Sequence, residues 1–335
     1  MRYELSGTKL SKMKIGTLAF TLFIVISCNS RDAKSMQASV VSMESNSVSE
    51  HYELIKPPSK IEGLLILFGG FSETAIEIKR EFSIHEMAME NGIAVMLMNF
   101  NRKLWLKEQE KIDLTKILVE AMASSDISTP NIFMGGSSSG GNVSLLLANY
   151  LIESDSPIKP KGVFIVDSPV DLLELYNCSK KNVERKFSEV SVRESERTIA
   201  TFDAFFGKPE NGIEKYELFS PFIYSESRVV NLRFLKDVHV RMYTEPDTVW
   251  WKENRMNEYE DMNAFYIQKL AVQLKEEFNP DNVELIETKN RGQRSNGYRH
   301  PHSWSIVDKE DLIKWILTLS GSWSGKNDLK INYEK

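Results

Sequence analysis

A serine-rich turn enclosed by glycines, residues 135–141 (GGSSSGG), most constrains how this chain can fold. The apolar run Ile132–Met134 before it is typical of a short buried strand, and residues 142–152 after it are apolar at helical spacing. Glycine lacks the Cβ atom that would clash in so tight a strand-to-helix turn. The central residue of G-x-S-x-G is Ser138, which we predict to stand exposed at a helix N-terminus, where free amides favour negative charge.

The register of this turn depends on the flanking glycines. A shift by one residue would make Ser137 or Ser139 the exposed serine. Gly136 and Gly140 match the pattern best when Ser138 is central. We therefore predict Ser138 as the candidate nucleophile.

Short apolar runs alternate with longer helical stretches from about His51 onwards. Predicted strands lie at residues 51–55, 64–68, 94–98, 132–134, 162–166, 238–244 and 283–287. Predicted helices lie at residues 74–91, 107–124, 141–153, 262–277 and 309–319. Several of the strands are continuously apolar, as expected for strands covered on both faces. The alternation predicts an α/β protein with a doubly wound, mostly parallel sheet.

Residues 171–235 interrupt this alternation with a charged and partly helical segment. An insertion of this length between two strands is expected over the carboxyl edge of the sheet, as a helical cap. We expect its aromatic side chains to form mainly the core of that cap. They are Phe202, Phe205, Phe206, Phe219, Phe222 and Tyr224.

The first 27 residues have the features of a signal peptide. Lys12 and Lys14 precede an apolar run, residues 15–26, that is too short to span a bilayer comfortably. The run ends in Val-Ile-Ser-Cys28, which resembles the bacterial lipobox, and this resemblance implies that Cys28 is lipidated. An uncleaved anchor helix is the alternative. Either prediction places the protein outside the cytoplasm and at a membrane, in the periplasm or at the cell surface.

The remaining boundaries follow from composition. Residues 28–50 are rich in serine with little periodic apolar content, which predicts a flexible tether. Residues 51–320 are predicted as the folded domain, and residues 321–335 as a C-terminal tail.

Composition excludes several classes of protein. A net charge of −5 leaves no basic surface for nucleic acid. The two cysteines, Cys28 and Cys178, exclude a disulfide framework and a cysteine-rich metal site, and Cys178 is predicted to be structural. Because the chain also has no H-x-x-x-H or C-x-x-C spacing, we predict neither a metal nor a cofactor.

From about residue 64 to 319 the chain resembles the α/β-hydrolase superfamily, through its G-x-S-x-G turn and strand–helix alternation. The resemblance implies the order nucleophile, acid, histidine, and a serine hydrolase that cleaves a carboxylic ester of a small molecule or a polymer. Gly140 and Gly141 follow the serine as in prolyl oligopeptidase catalytic domains, so a serine peptidase is an alternative. A ligand-binding lipoprotein of the same fold without activity is another.

The resemblance places the base in the loop between the last strand and the last helix, and His300 and His302 lie there. We favour His302, because the Ser-Trp that follows matches the start of the last helical segment in many esterases of this fold. Pro301 also restrains His300 to an extended conformation. His300 remains the alternative.

The acid is expected just after the strand at residues 238–244. Asp247 lies three residues beyond Thr244, at the family's usual spacing, and Glu245 is the alternative. Its role would be to accept the Nδ1–H of the histidine and stabilise the imidazolium. Asp167 follows the preceding strand and is interpreted as part of the site rim or a cap hinge.

Two backbone amides are expected to form an oxyanion hole. One is the N–H of Ser139, which follows the nucleophile. The other comes from the turn after the strand at residues 64–68, which resembles an H-G-G-G loop with Phe68 in place of the histidine. Gly70 and Phe71 are both candidates for this second donor.

Overall fold

A computed structural model describes residues 45–322 of the chain. The strands are β1 (Ser45–Val48), β2 (Tyr52–Lys56), β3 (Gly63–Phe68), β4 (Ile93–Met98), β5 (Ile132–Ser137), β6 (Pro160–Val166), β7 (His239–Thr244) and β8 (Val283–Glu287). The helices are α1 (Ala75–Phe82), α2 (His85–Glu90), α3 (Glu108–Ser124), α4 (Ser139–Glu153), α5 (Leu172–Arg185), α6 (Glu189–Phe205), α7 (Glu214–Phe219), α8 (Thr248–Arg255), α9 (Asn263–Glu277) and α10 (Lys309–Ser320). The predicted signal peptide, Cys28, most of the predicted tether and the tail beyond Ser322 lie outside the described residues.

The eight strands form one sheet in the order β1-β2-β4-β3-β5-β6-β7-β8. Strand β2 pairs antiparallel with both β1 and β4, and the other pairs are parallel. This arrangement confirms the predicted α/β class with a mostly parallel sheet. The inner strands β3, β4 and β5 are buried along their whole length, which explains their continuous apolar sequences.

Helices cover both faces of the sheet. The apolar cluster on one face takes its helical residues from α3, α4 and α9, and the cluster on the other takes them from α1, α2 and α10. Because β3, β5, β6 and β7 run parallel in adjacent positions, their carboxyl ends meet at one edge. The turns that follow these four strands therefore bring together residues that are distant in the sequence.

Three elements differ from the sequence prediction. The helix expected at residues 74–91 is divided into α1 and α2 at Ser83, whose φ of 43° ends the first helix. Helix α8 was not predicted. The sheet begins at Ser45, inside the predicted tether, because β1 is a short polar edge strand without the alternation that reveals a strand.

The segment between β6 and β7 contains helices α5, α6 and α7 and has an apolar cluster of its own. Phe202 and Phe206 are buried in this cluster, and the rings of Trp105 and Phe206 lie 4.6 Å apart. Trp105 belongs to the loop between β4 and α3, so the cluster packs against the main domain. Of the other predicted core aromatics, Phe205 and Phe219 pack against this cluster, whereas Phe222 belongs to the cluster on one face of the sheet and Tyr224 is exposed. Among residues 45–322, no helix is long and apolar enough to cross a bilayer.

Candidate active site

Ser138 occupies the sharp turn between β5 and α4. Its backbone has φ 52° and ψ −125°, a conformation that residues other than glycine seldom adopt. The Ser138 N–H donates to the carbonyl of Val166 at 2.8 Å, which ties the turn to the end of β6. Helix α4 begins at Ser139, so the N–H of Ser139 has no acceptor within this helix.

Close backbone contacts explain the glycines on either side of the turn. A Cβ atom on Gly136 would lie 2.3 Å from the backbone of Gly140. A Cβ atom on Gly140 would lie 2.3 Å from the carbonyl oxygen of Phe68. Helix α4 therefore starts against the ends of β3 and β5, at a distance that only glycine permits.

His302 forms a short hydrogen bond with a buried carboxylate at this edge. Its Nδ1 lies 2.6 Å from Oδ2 of Asp167, the residue that follows β6. The other oxygen, Oδ1, accepts from Thr244 Oγ1 at 2.8 Å, and Asp167 is only 5% exposed. The Asp167 N–H donates to Tyr243 O at 2.8 Å in a turn with φ 45°. Both carboxylate oxygens and the backbone are thus held in place.

This geometry corrects the expectation that Asp247 is the acid. Asp247 Oδ1 accepts the Trp250 N–H at 3.0 Å and caps α8, and its Oδ2 accepts from Arg299 at 2.6 Å. Asp247 lies after β7 at the expected spacing, but its carboxylate is paired with Arg299, which belongs to the loop that carries His302. The carboxylate that contacts His302 belongs to the neighbouring strand β6, at the residue expected to be a rim or hinge.

Glu245, the alternative acid, instead organises the loop that carries His302. It is 2% exposed, and its Oε2 accepts the backbone N–H groups of Arg291 at 2.8 Å and Gly292 at 3.0 Å. The Thr288 hydroxyl donates to the same oxygen, and Arg299 donates to Oε1. A buried carboxylate with this many donors anchors the loop to the end of β7.

His300, the alternative base, is packed against tryptophans. Its ring centroid lies 4.7 Å from that of Trp250 and 6.0 Å from that of Trp251. Burial, with the nearby His302 and two arginines, lowers the pKa of His300 to about 3. Its Nδ1 accepts the His302 N–H at 3.2 Å, so a neutral His300 supports the backbone of His302. Of the two histidines, His302 is the one that is hydrogen-bonded to a buried carboxylate, that of Asp167.

The turn after β3 lies against Ser138. A Cβ atom on Gly70 would be 3.6 Å from the Cβ of Ser138, so this turn is in the place expected for an oxyanion hole. The Gly70 N–H, however, donates to Oε2 of Glu73 at 2.7 Å. This bond corrects the suggestion of Gly70 as a donor to substrate. Phe71 and Ser139 remain the predicted donors.

The other predicted features are placed as follows. Cys178 is partly buried and its Sγ–H donates to Asp261 O at 3.4 Å. Burial and the nearby Asp261 raise the pKa of its thiol to about 11, so the group is protonated and contributes to packing. Within residues 45–322, no group of three or more His, Cys, Asp or Glu side chains could hold a metal ion.

Sequence reasoning placed Asp167 at the site rim or a cap hinge rather than as the partner of the histidine, and it did not identify Glu73. Asp167 directly follows the apolar run of β6 at the carboxyl edge of the sheet, and this position was the available signal. Glu73 lies three residues after Gly70 in a loop, and the sequence alone does not indicate from which amides its carboxylate accepts hydrogen bonds.

No protein-family model matches the chain. No curated protein sequence matches it either. Similar solved structures include an esterase of the bacterial hormone-sensitive lipase family, which is 14% identical over 81% of this chain and 80% of its own, with a TM-score of 0.49. An esterase of Pyrococcus furiosus is 13% identical over 81% and 85% of the two chains, with a TM-score of 0.49.

Carboxyl esterase 2 of the mycorrhizal fungus Tuber melanosporum is 14% identical over 81% of this chain and 82% of its own, with a TM-score of 0.47. At these identities and scores, the likeness assigns neither a substrate nor catalytic residues to this chain.

Proposed function

We propose that this protein is a serine hydrolase that cleaves a carboxylic ester with Ser138, His302 and Asp167. The observation that supports this most is the 2.6 Å hydrogen bond between His302 Nδ1 and the buried Asp167 Oδ2. The backbone of Ser138, in a strained strand-to-helix turn, is bonded through its N–H to the carbonyl of Val166, the residue before Asp167. Nucleophile, base and acid thus come from three turns at one edge of the sheet.

In the first half of the proposed reaction, Ser138 Oγ attacks the ester carbonyl carbon while His302 Nε2 accepts the hydroxyl proton. The carbonyl π electrons move to the oxygen, and the N–H groups of Ser139 and Phe71 stabilise the resulting oxyanion. When the tetrahedral intermediate collapses, the bond to the alcohol oxygen breaks. His302 returns its proton to the departing alcohol, and an acyl-serine remains.

Water completes the cycle. His302 Nε2 accepts a proton from a water molecule while the oxygen of that water attacks the acyl carbon. Collapse of the second intermediate releases the acid, and Ser138 recovers its proton from His302. Throughout, Asp167 keeps the histidine proton on Nδ1 and stabilises the imidazolium by its charge.

A fluorophosphonate probe tests the activated serine directly. We expect the soluble domain, from about Ser30 onwards, to be labelled at Ser138 and to hydrolyse short p-nitrophenyl esters. Labelling should disappear in folded Ser138→Ala and His302→Ala variants. A folded wild type that neither reacts with the probe nor hydrolyses any ester of the panel would refute the proposal.

From the lipobox resemblance alone, we also propose that Cys28 anchors the protein to a membrane outside the cytoplasm. Mass spectrometry of the protein expressed with its complete N-terminus in a bacterium tests this. We expect cleavage before Cys28 and a mass increase from acyl chains, and neither should occur in Cys28→Ser. An N-terminus that keeps residues before Cys28 would contradict it.

A further inference from the structure

Glu73 joins the turn after β3 to the loop that carries His302. Its Oε2 accepts two hydrogen bonds, from the Gly70 N–H at 2.7 Å and from Trp304 Nε1 at 3.0 Å. Gly70 belongs to the turn beside Ser138, and Trp304 lies two residues after His302. One carboxylate oxygen therefore links the two segments that must be aligned for catalysis.

Both ends of this link are rigid. The Glu73 N–H donates to Gly70 O at 2.9 Å, so the turn is closed by a backbone bond as well as by the side chain. A Cβ atom on Gly69 would lie 2.6 Å from the Cβ of Glu73, so the turn and the Glu73 side chain pack closely. Trp304 is 1% exposed and stacks on Phe82 with 4.5 Å between ring centroids.

The charge of Glu73 is balanced on its other oxygen. Arg294 Nη1 lies 3.9 Å from Oε1, and the Glu73 side chain is 13% exposed. Hydrogen bonds to an ionised carboxylate are stronger than those between neutral groups. The bonds to Gly70 and Trp304 are therefore well suited to hold a backbone turn in one conformation.

We propose that Glu73 is a positioning residue for the oxyanion hole, an inference that rests on the proposed hydrolase function. By taking up the Gly70 N–H, Glu73 turns that amide away from the substrate. The next amide, that of Phe71, is left to pair with the Ser139 N–H as the second oxyanion donor. Through Trp304, the same carboxylate keeps this turn in register with His302.

Removal of the side chain tests the proposal. We expect Glu73→Ala to lower kcat by about 10- to 100-fold, because a displaced oxyanion donor costs part of the loss seen when one is removed. KM should change little, since oxyanion stabilisation acts in the transition state. Affinity for a trifluoromethyl ketone, which forms a tetrahedral oxyanion on the serine, should fall by the same factor as kcat/KM.

Glu73→Gln is the rescue variant. The glutamine amide oxygen can accept the bonds from both Gly70 and Trp304, and only the pairing with Arg294 is lost. We expect kcat close to that of the wild type. Trp304→Phe removes one of the two donors and should lie between Glu73→Gln and Glu73→Ala. Glu77→Gln, on the first turn of α1, is the matched control and should keep the wild-type kcat and inhibitor affinity.

The outcomes separate the two proposals. An active wild type whose Glu73→Ala variant keeps full kcat and inhibitor affinity would overturn the role of Glu73 and leave the hydrolase intact. An increase in kcat would also overturn it, because it would mean that the carboxylate competes with the oxyanion. Equal losses in folded Glu73→Ala and Glu77→Gln would overturn it as well, because the loss would then not depend on the bonds from Gly70 and Trp304. A wild type inert to every ester and to fluorophosphonate would refute both proposals.

Discussion

Replacement of Asp167 by asparagine tests the assignment of the acid most sharply. Thr244 donates its hydroxyl proton to Asp167 Oδ1, so the oxygen of an asparagine is expected to remain on that side. The amide NH2 then faces His302 Nδ1 at the position now 2.6 Å away. Since NH2 is a donor, it would force the histidine proton onto Nε2, and the ring could no longer accept the proton of Ser138.

The size of the expected loss in kcat follows from the charge of the buried Asp167 carboxylate. For an imidazolium and a carboxylate with centres about 4 Å apart, the attraction is about 4 kcal/mol at an effective dielectric constant near 20. Losing it in the transition state lowers kcat by about 10³-fold. The wrong tautomer adds to this, so we expect a loss of about 10³- to 10⁴-fold in Asp167→Asn with little change in KM.

The assay is the steady-state hydrolysis of a p-nitrophenyl ester, with Asp247→Asn as the matched control. Asparagine can still cap α8, and Arg299 keeps its bond to Glu245, so the control should retain a kcat close to that of the wild type. Circular dichroism confirms folding of both variants. The reasoning is refuted if Asp247→Asn loses activity by orders of magnitude while Asp167→Asn does not.

Three further predictions concern Glu245, His300 and Cys178. Glu245→Ala leaves the buried N–H groups of two loop residues without their acceptor and removes one of the ion pairs of Arg299, so we expect a loss of about 3 kcal/mol in the free energy of urea unfolding; an unchanged urea midpoint would contradict this. Because the folded pKa of His300 is lowered to about 3, it stays neutral in the folded protein but protonates in the unfolded chain below pH 6.5. Stability is therefore lost as the pH falls from about 6.5 towards 3, and between pH 7 and 5 the wild type should lose about 2 kcal/mol more than His300→Gln. Equal losses in the two proteins would show that His300 titrates normally. Cys178, whose pKa is raised to about 11, should react with iodoacetamide at pH 8 far more slowly in the folded protein than in urea; mass spectrometry over time measures both rates.

Most of the fold could be predicted because its signals are local. Seven of the eight strands in the described residues match strands predicted from their apolar residues, and β1 was not predicted because it is short and polar. The elbow around Ser138 was also predictable, since Gly136 and Gly140 are required by contacts within the turn and with the adjacent strand end. Elements whose burial follows directly from their own sequence can be predicted without the structure.

By itself, the sequence determined seven of the eight strands in the described residues, the position of Ser138 and the loop that carries His302. Only the tertiary structure decided that His302 contacts Asp167, that Asp247 pairs with Arg299, and that Glu73 takes the Gly70 amide. The reason is physical. Several strand ends meet at one edge, so more than one carboxylate is a topologically acceptable partner for the histidine. Which one is chosen depends on the path of the loop and on competing cations, and these are set by contacts between residues far apart in the chain.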